Sequence, residues 1–566
     1  MVRILDKKME YSKYRSGALT NGMERSAHRA LLYSTGLDTD DLKKPFIAVV
    51  NSFTEIVPGH IHLREIADYV KRGIHEAGGV PIEFNTIALC DGLCQGHIGM
   101  SYPLPSREII ADSIEMMVEG HQLDGMVLLP GCDKIVPGMI MAAARLNIPA
   151  IVVTGGPMLE GKYKDIENIT LTDMRELIGR TQTGKLTMDD LMEIEKVALP
   201  TYGTCAMLGT ANSMSCLAEI LGMALPKCGT SLAISSEKRR IAKQSGKRIV
   251  QMIDENLTAR MILKRETLLN GIKATMAMGA STNTVLHLMA IANEAEVSLA
   301  LNDFDEISRE VPYLCNIKPS GKYPLSVVHD NGGIPAILKA IESHLDTSQL
   351  TVTGKTLKEE LEKVELVEND VIFSLSNPKN PEGGIAILYG NLAPDGAVVK
   401  KSGVKPSMYN FKGKARVFHS MEDASYAVSN DLIKEGDVIV IRYEGPKGGP
   451  GMREMHMTTS LLVGRGMDES CALITDGRFS GSTRGPCIGH ISPEAAAGGP
   501  IAAIEDGDTI IIDIPNRKLE VDLPPEVIEE RLKNVEFLYK KRTISLAKYA
   551  QLVTSADKGA ILKVEK

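Results

Sequence analysis

The chain has 566 residues, 43% hydrophobic and 24% charged, which predicts at least two domains with sizeable buried cores. Its formal net charge of -8, with no block of basic residues, argues against nucleic acid or an anionic membrane as a partner. The charged start of the sequence and the lack of a long apolar run predict a cytoplasmic protein without a membrane span.

From about residue 46 the sequence repeats a short apolar strand, a turn bearing glycine or cysteine, and a helix. PFIAVVNS predicts a strand, LREIADYVKRGIHEAGG a helix that ends at glycine, and IEFNTIAL a second strand before the turn CDGLCQGHIGM. A helix over about 106–120 then leads to the strand GMVLLP, the turn GCDKIVPG, the helix MIMAAARLN and the strand AIVVTGGP. This alternation predicts a parallel sheet with helices on its faces.

The turns after these strands carry most of the polar candidates. In open α/β sheets ligands bind beyond the carboxyl ends of the strands, so the residues there should share one rim: Asp91, Cys132, Asp133, Lys134 and the Gly155-Gly156 turn. Cys205 lies in another glycine-bearing turn, YGTCAMLGTANSM, and is expected to face the same cavity.

After about residue 370 the pattern changes to short strands, VIVIRYE, CALITDG and TIIIDIP, separated by turns rich in glycine and proline. This pattern predicts a β-rich, barrel-like C-terminal domain. VEND, just before VIFSLSNP, marks the predicted boundary, with an α/β domain over residues 1–370 and the barrel-like domain over residues 371–566. The two most unusual loops of the second domain are EGPKGGPGMREM and DGRFSGSTRGP.

The nine cysteines form neither a dense disulfide framework nor the paired C-x-x-C spacing of a zinc site. Most are therefore expected to be buried thiols, with a few available as metal ligands. An α/β framework is also compatible with a nucleotide-binding protein or a non-catalytic iron–sulfur sensor. The chain lacks G-x-x-x-x-G-K-[ST], and no G-x-G-x-x-G follows its first strand, which argues against nucleotide binding.

Eight segments, in order along most of the chain, resemble the family of dihydroxy-acid and sugar-acid dehydratases. They are NSFTEIVPGHIHL, DGLCQGHIGM, PSREIIADSIE, GCDKIVPGM, GTCAMLGTANSM, ASTNTVLHL, EGPKGGPGMREM and DGRFSGSTRGPCIGHISPEAA. The resemblance implies a hydro-lyase that converts a small 2,3-dihydroxy acid into a 2-oxo acid. Such a reaction needs one Lewis acid to stabilise a developing enolate and another to assist the leaving hydroxide.

The resemblance assigns a role to each motif residue. It implies that Cys132 and Cys205 ligate an iron–sulfur cluster and that Ser480 is the general base, and it implies a magnesium site made by Asp91, Asp133, Glu454 and a carbamylated Lys134. Without the motif context, the cysteines would be interpreted as buried thiols, the Asp-Lys pair as an exposed turn, and Ser480 as a turn residue.

The segment VPGH departs from the pattern of family members with a two-iron cluster, which have a cysteine at the position of Gly59. Glycine cannot bind iron, and the glycine version belongs to a branch associated with a four-iron cluster. The resemblance therefore favours [4Fe-4S], with [2Fe-2S] as the alternative. The third protein ligand stays open among Cys90, Cys94 and His60.

The substrate implied by the overall resemblance is 2,3-dihydroxy-3-methylbutanoate, together with 2,3-dihydroxy-3-methylpentanoate, in branched-chain amino-acid biosynthesis. Cys94-Gln95 and Pro103 depart from the branched-chain members, which have Ala-Met and serine there. Glutamine adds donor and acceptor capacity, which would suit a sugar acid as the alternative substrate. The resemblance also implies a homodimer or homotetramer.

Overall fold

A four-stranded parallel sheet forms the first part of the fold in this computed structural model, which describes residues 11–563 apart from residues 183, 367–368, 482 and 539. Its strands are β1 (Phe46–Asn51), β2 (Val80–Asn85), β3 (Gly125–Leu129) and β4 (Ala150–Val152). They lie in the spatial order β2-β1-β3-β4, and every adjacent pair is parallel. The predicted parallel sheet is confirmed.

Helices precede and cover this sheet: α1 (Gly17–Thr20), α2 (Ser26–Ser34), α3 (Leu63–Glu76), α4 (Asp91–Cys94), α5 (Pro103–Gly120) and α6 (Ile135–Leu146). Helix α3 forms because apolar residues recur at helical spacing, and Leu63, Ile66 and Val70 are buried. The strand predicted over IEFNTIAL is wrong beyond Asn85. Asn85 is paired with Asn51, the last residue of β1, so residues 86–90 have no strand beside them to extend the pairing.

The middle of the chain is mainly helical and packs on the same hydrophobic core as the sheet. A hairpin of β5 (Gly161–Tyr163) and β6 (Ile166–Ile169) opens this region. The helices that follow are α7 (Leu171–Gln182), α8 (Met188–Val197), α9 (Thr210–Ile220), α10 (Ser236–Glu255), α11 (Ala259–Ile262), α12 (Arg265–Met278), α13 (Asn283–Glu294), α14 (Leu301–Glu310), α15 (Leu325–Asp330), α16 (Gly333–Ala340) and α17 (Leu357–Leu361).

A closed eight-stranded barrel forms the last part of the fold. Its strands are β7 (Ala386–Gly390), β8 (Ala393–Val399), β9 (Asn410–Phe418), β10 (Asp437–Ile441), β11 (Ala472–Thr475), β12 (Cys487–Ser492), β13 (Thr509–Asp513) and β14 (Lys518–Val521). Their order around the barrel is β10-β11-β12-β8-β7-β14-β13-β9, with parallel and antiparallel pairs. The predicted β-rich, barrel-like domain is confirmed.

Four helices accompany the barrel: α18 (Met421–Ser429), α19 (His456–Gly464), α20 (Pro525–Asn534) and α21 (Ile544–Leu552). One apolar cluster fills the barrel, and another lies between it and the pair α18 and α19. Among the described residues, no helix has both the length and the apolar character needed to cross a bilayer. The boundary between residues 370 and 371 stays a prediction, and residues 367 and 368 of VEND lie outside the described part of the chain.

Candidate active site

Two loops at the carboxyl ends of the sheet strands carry the first group of predicted residues. Cys132, Asp133 and Lys134 lie between the end of β3 and the start of α6, and Asp91 begins α4 after β2. Strands β2 and β3 both neighbour β1, so these loops emerge on the same edge of the parallel sheet.

A short pairing of two barrel loops places the second group of predicted residues together. Glu454 forms an isolated parallel bridge with Arg478: Arg478 N donates to Arg453 O over 3.1 Å, and Met455 N donates to Arg478 O over 2.9 Å. Ser480 therefore lies two residues after Arg478, the residue that pairs with Glu454. This pairing explains why the two unusual loops of the sequence meet.

Three carboxylates from the two parts of the fold converge. One carboxylate oxygen from each of Asp91, Asp133 and Glu454 lies within 4.8 Å of the others, with Asp91 and Glu454 buried and Asp133 half-buried. Burial, reinforced by the charge of Asp91, raises the pKa of Asp133 to about 8. Negatively charged carboxylates this close together repel one another, and a hard divalent cation between them would stabilise them.

Two cations neutralise part of this negative charge. Lys134 Nζ and Arg478 Nη2 each lie 3.0 Å from Asp91 Oδ2, and Arg478 Nη1 also forms an ion pair with Glu454. Burial alone would raise the pKa of Asp91, but Lys134 and Arg478 hold it below its usual value. Asn283 Oδ1 accepts from both cations, over 3.3 Å from Lys134 and 3.0 Å from Arg478.

The carboxylate cluster keeps one oxygen available. Asp91 Oδ1 is buried and has no hydrogen-bond partner among the described residues. A buried, unpaired carboxylate oxygen is costly unless a ligand satisfies it. The three carboxylates therefore fit a hard divalent cation. The unmodified ammonium of Lys134 forms an ion pair with Asp91. A carbamate on the same lysine would instead offer oxygen atoms as ligands.

The predicted thiols lie against the same loops. Cys132 is buried and Cys205 is half-buried, and the charge of Asp133 acts on both. A hydrogen bond with Cys90 and burial raise the pKa of Cys132 well above its usual value, and burial raises that of Cys205 to about 12. Both thiols are therefore protonated in the protein alone, and binding a metal group here would require them to lose their protons.

Local contacts fix the position of Cys132 within this loop. His60 Nε2 accepts from the backbone N–H of Cys132 over 2.8 Å, and His60 Nδ1 lies 2.8 Å from Ser52 O. Burial lowers the pKa of His60 to about 4, so the ring is neutral and both nitrogens are engaged. The segment VPGH thus wraps around the loop that carries Cys132.

A hydrogen-bonded turn holds the loop of Cys205. Thr204 Oγ1 donates to Asn212 Oδ1 over 2.6 Å, and Asn212 Nδ2 donates to the carbonyl oxygens of Cys205 and Met207. These contacts join the turn to the first part of α9, which begins at Thr210.

The loop of Ser480 is clamped between the barrel and the helical region. Asn283 Nδ2 donates to Phe479 O over 2.9 Å, and Lys400 Nζ donates to Gly481 O over 2.6 Å. A Cβ at Gly481 would lie 2.9 Å from Gly209 Cα, so only glycine allows this approach. Ser480 itself is half-buried.

Several residues that contact this cluster were not predicted from the sequence. Arg478 and Asn283 lie within quoted motifs, DGRFSGSTRGP and ASTNTVLHL, but were assigned no role. Gln95 was considered only as a substrate contact, whereas its Nε2 donates to Glu454 Oε2 over 3.0 Å and its Oε1 accepts from Arg175. Arg175 lies on α7, in a stretch without a distinctive motif, so the sequence held no signal for it.

A cavity of about 1140 Å³ opens beside the carboxylates. It is bounded by α4, α7, α18 and α19, and its lining includes Gly92, Gln95, Arg175 and His456. Burial lowers the pKa of Arg175 to about 10, so the guanidinium stays charged at neutral pH. The cavity therefore presents a positive charge next to the carboxylates, which suits the approach of an anionic molecule.

Comparison with known proteins gives a match over nearly the whole chain. The family description "Dihydroxy-acid/6-phosphogluconate dehydratase N-terminal" matches residues 44–360, and the corresponding C-terminal description matches residues 370–560. A dihydroxy-acid dehydratase of Methanothermobacter thermautotrophicus is 53% identical over 97% of this chain and 100% of its own length. Proteins of the same name from Thermodesulfovibrio yellowstonii and Acetivibrio thermocellus are each 52% identical over the same shares.

Proposed function

Because this chain belongs to the dihydroxy-acid/6-phosphogluconate dehydratase family, we propose that it is a hydro-lyase of branched-chain amino-acid biosynthesis. It removes water from 2,3-dihydroxy-3-methylbutanoate and 2,3-dihydroxy-3-methylpentanoate to leave the 2-oxo acids. The observation that carries the proposal is the carboxylate triad of Asp91, Asp133 and Glu454 beside the thiols of Cys132 and Cys205.

The donor atoms divide into two sets by chemical type. Asp91, Asp133, Glu454 and a carbamylated Lys134 would hold Mg²⁺, and Cys132 and Cys205 would hold the cluster, with [4Fe-4S] favoured by Gly59 and [2Fe-2S] as the alternative. When bound, the magnesium ion would offset charge that develops next to the substrate carboxylate, and the cluster would act as Lewis acid for the leaving hydroxide.

Ser480 is the base in this proposal. Its Oγ, as the alkoxide, removes the proton from C2 while hydroxide leaves C3, and the resulting enol takes a proton at C3 to become the 2-oxo acid. A serine hydroxyl is too weak an acid to ionise alone at neutral pH, so this role requires nearby cationic charge. Arg478, two residues away, brings a buried positive charge into the same loop.

The surrounding residues orient the groups that carry out this reaction. Arg478 fixes the carboxylates of Asp91 and Glu454, and Asn283 ties both Arg478 and the Phe479 carbonyl to α13. Substrate reaches them from the cavity beside Gln95 and Arg175, where the guanidinium attracts the carboxylate.

The contacts of Gln95 bear on the alternative, a sugar-acid dehydratase of the same family. Its amide nitrogen donates to Glu454 and its amide oxygen accepts from Arg175, so each end makes one of the two hydrogen bonds that it can make. Part of the capacity that favoured a polyhydroxylated substrate is therefore used within the protein, which weakens the argument for a sugar acid.

An anaerobic substrate panel tests the proposal. Reconstituted protein with Mg²⁺ is assayed for 2-oxo acid formation from the two branched dihydroxy acids and, in parallel, from gluconate, xylonate and arabinonate. We expect turnover of both branched acids at a higher kcat/KM than any sugar acid. Activity confined to the sugar acids would overturn the assignment and favour the alternative.

The proposal includes a cytoplasmic homodimer or homotetramer. The nine cysteines are all free thiols, as a reducing compartment allows. Exposed, large apolar side chains between residues 56 and 116 are candidates for burial against another subunit: Ile56, Ile61, Ile87, Leu93, Ile98, Ile109 and Met116. Light scattering on the eluting peak of a sizing column measures the mass, and a monomer would contradict this part.

A further inference from the structure

A second cavity, of about 270 Å³, lies between α7, α19 and the loop that follows Ser480. We call it the α7–α19 pocket. It shares Arg175 and His456 with the larger cavity, but it also reaches Thr483, whose backbone N–H donates to Ser480 O over 3.1 Å. His456 comes two residues after Glu454. The pocket therefore borders both barrel loops of the candidate active site, and none of the three clustered carboxylates lines it.

Three buried polar atoms belong to residues on the wall of this pocket and have no hydrogen-bond partner among the described residues. They are Thr172 Oγ1, His456 Nδ1 and Thr483 Oγ1, in residues that are 7%, 5% and 4% exposed. Buried polar atoms are normally paired, because leaving one unpaired costs free energy. Three such atoms around one cavity indicate a site for a polar ligand.

All three atoms can act as hydrogen-bond donors. A threonine hydroxyl carries one hydrogen that rotates towards an acceptor. Ser460 Oγ lies 3.1 Å from His456 Nε2, so the serine hydroxyl can donate to that nitrogen and leave the imidazole proton on Nδ1. A ligand that fits this wall therefore carries several acceptor oxygens.

The charged side chains on the wall of the pocket are mostly basic: Arg175, Arg180, Lys185 and Arg484, with Glu176 as the one acid. Glu176 Oε1 lies 2.6 Å from Arg484 Nη1, so this carboxylate is paired with one of the four cations. The whole chain has a formal net charge of -8, so the positive charge here is local. A concave site with this balance attracts anions and disfavours cations.

We propose that the α7–α19 pocket is a binding site for a small oxyanion, either the carboxylate of a short 2-oxo or dihydroxy acid or free inorganic phosphate. Both offer charged acceptor oxygens to the same donors. The volume lies just below the usual range of about 300–1,000 Å³ for ligand pockets, which suits a molecule of this size rather than a nucleotide. The proposal goes beyond the proposed function, because binding here requires neither the cluster nor the dehydration.

Titration calorimetry on the full-length, anaerobically reconstituted protein with Mg²⁺ tests the proposal. The two ligands are inorganic phosphate and 3-methyl-2-oxobutanoate, each added at low ionic strength. We expect saturable binding of at least one of them. Binding of phosphate alone would identify the free anion as the occupant, and binding of the oxo acid alone would identify the carboxylate of an acid. If neither ligand binds, the proposal is overturned, whereas the proposed dehydratase function is judged separately by turnover.

Matched variants locate the binding. Thr172→Val and Thr483→Val each remove one hydroxyl and keep the shape of the side chain, so the Kd of the bound ligand should rise about tenfold or more in each. Thr181→Val is the control. Thr181 lies on the same helix as Thr172 but does not line the pocket, and its hydroxyl donates to Leu177 O over 2.9 Å. Unchanged Kd values in both pocket variants would place the anion elsewhere and overturn the proposal.

A charge variant gives a second readout at a position where folding should not be affected. Lys185 is exposed, and Lys185→Gln should raise the Kd about two- to fivefold and make its salt dependence shallower. Lys196→Gln is the control, because Lys196 is exposed on α8 and pairs with Glu193. Far-UV circular dichroism verifies that every variant is folded. Equal Kd values for the Lys185 and Lys196 variants across salt concentrations would contradict an anion site at this pocket.

Discussion

Arg478 Nη2 lies 3.0 Å from Asp91 Oδ2, and both side chains are buried, with relative exposures of 0% and 3%. Arg478 follows strand β11 of the barrel, whereas Asp91 lies at the rim of the parallel sheet. The same guanidinium pairs with Glu454, so one cation joins carboxylates from the two parts of the fold. The geometry of the candidate metal site therefore depends on how the barrel packs against the sheet.

Replacing Arg478 should destabilise the metal-free protein. Arg478→Met leaves the buried carboxylates of Asp91 and Glu454 with less positive charge beside them. Removing one member of a buried ion pair lowers the free energy of unfolding by about 3–5 kcal/mol. Urea unfolding of the metal-free protein measures the loss, with Arg478→Lys as the control that keeps the charge. A Met variant as stable as the Lys variant would contradict the prediction.

Replacing Ser480 should remove catalysis and leave the metal groups in place. Ser480→Ala deletes only the hydroxyl, so turnover should fall by about two to four orders of magnitude, the usual contribution of a positioned acid or base. Visible absorbance and iron content should stay at wild-type values. Turnover similar to wild type would remove Ser480 from the role of base.

Replacing Lys134 should weaken magnesium binding and remove a carbamate signal. Lys134→Ala deletes an anionic oxygen ligand if the lysine carries carbon dioxide, so we expect the Kd for Mg²⁺ to rise about tenfold or more. Titration calorimetry measures the affinity, and ¹³C NMR in ¹³C-bicarbonate detects the carbamate.

Lys400 offers the matched control for that experiment. It is also buried, and its Nζ donates to the Gly481 carbonyl rather than to a carboxylate. The carbamate signal should therefore be present both in the wild type and in Lys400→Met. A signal that persists in Lys134→Ala would contradict the assignment.

The stability of the protein should rise with pH because of Lys400. Burial lowers its pKa from the usual value of about 10.5 to about 7. Between these two values the unfolded chain holds a proton that the folded protein lacks, so the free energy of unfolding increases as pH rises through this window. Below pH 7 both states are protonated and the contribution is constant.

Urea midpoints at pH 6.5, 8 and 9.5 measure this slope. Lys400→Met should flatten the dependence, and Lys358→Met, at an exposed position, should not. Identical slopes in all three proteins would show that Lys400 does not titrate in this range.

The architecture was predictable because its signals are local. Apolar runs such as FIAVV and MVLL, each followed by a turn and a helix, predicted the parallel sheet, and strands such as VIVI and TIII between glycine-rich turns predicted the barrel. The extent of β2 was not predictable in the same way. Residues 86–90 are apolar enough to extend the strand, but the end of β1 at Asn51 stops the pairing, and that partner is distant in sequence.

The candidate site was predictable where a motif marks it. The resemblance supplied Asp91, Asp133 and Glu454, which lie together, although Glu454 comes 363 positions after Asp91 (454 minus 91). Arg478 was missed although it lies in the motif DGRFSGSTRGP, because a motif does not show which partner its arginine contacts. Arg175 was missed because it lies in no distinctive motif. Their partners are fixed only by tertiary contacts.

The distribution of donor atoms along the chain has a consequence for maturation. In the proposed site the sulfur ligands Cys132 and Cys205 lie within the first 205 residues, whereas the oxygen ligand Glu454 comes from a loop that pairs with Arg478 far along the chain. On this proposal both thiols are synthesised long before the last oxygen ligand. Cluster delivery would then be able to begin on a nascent chain, before Glu454 reaches the site.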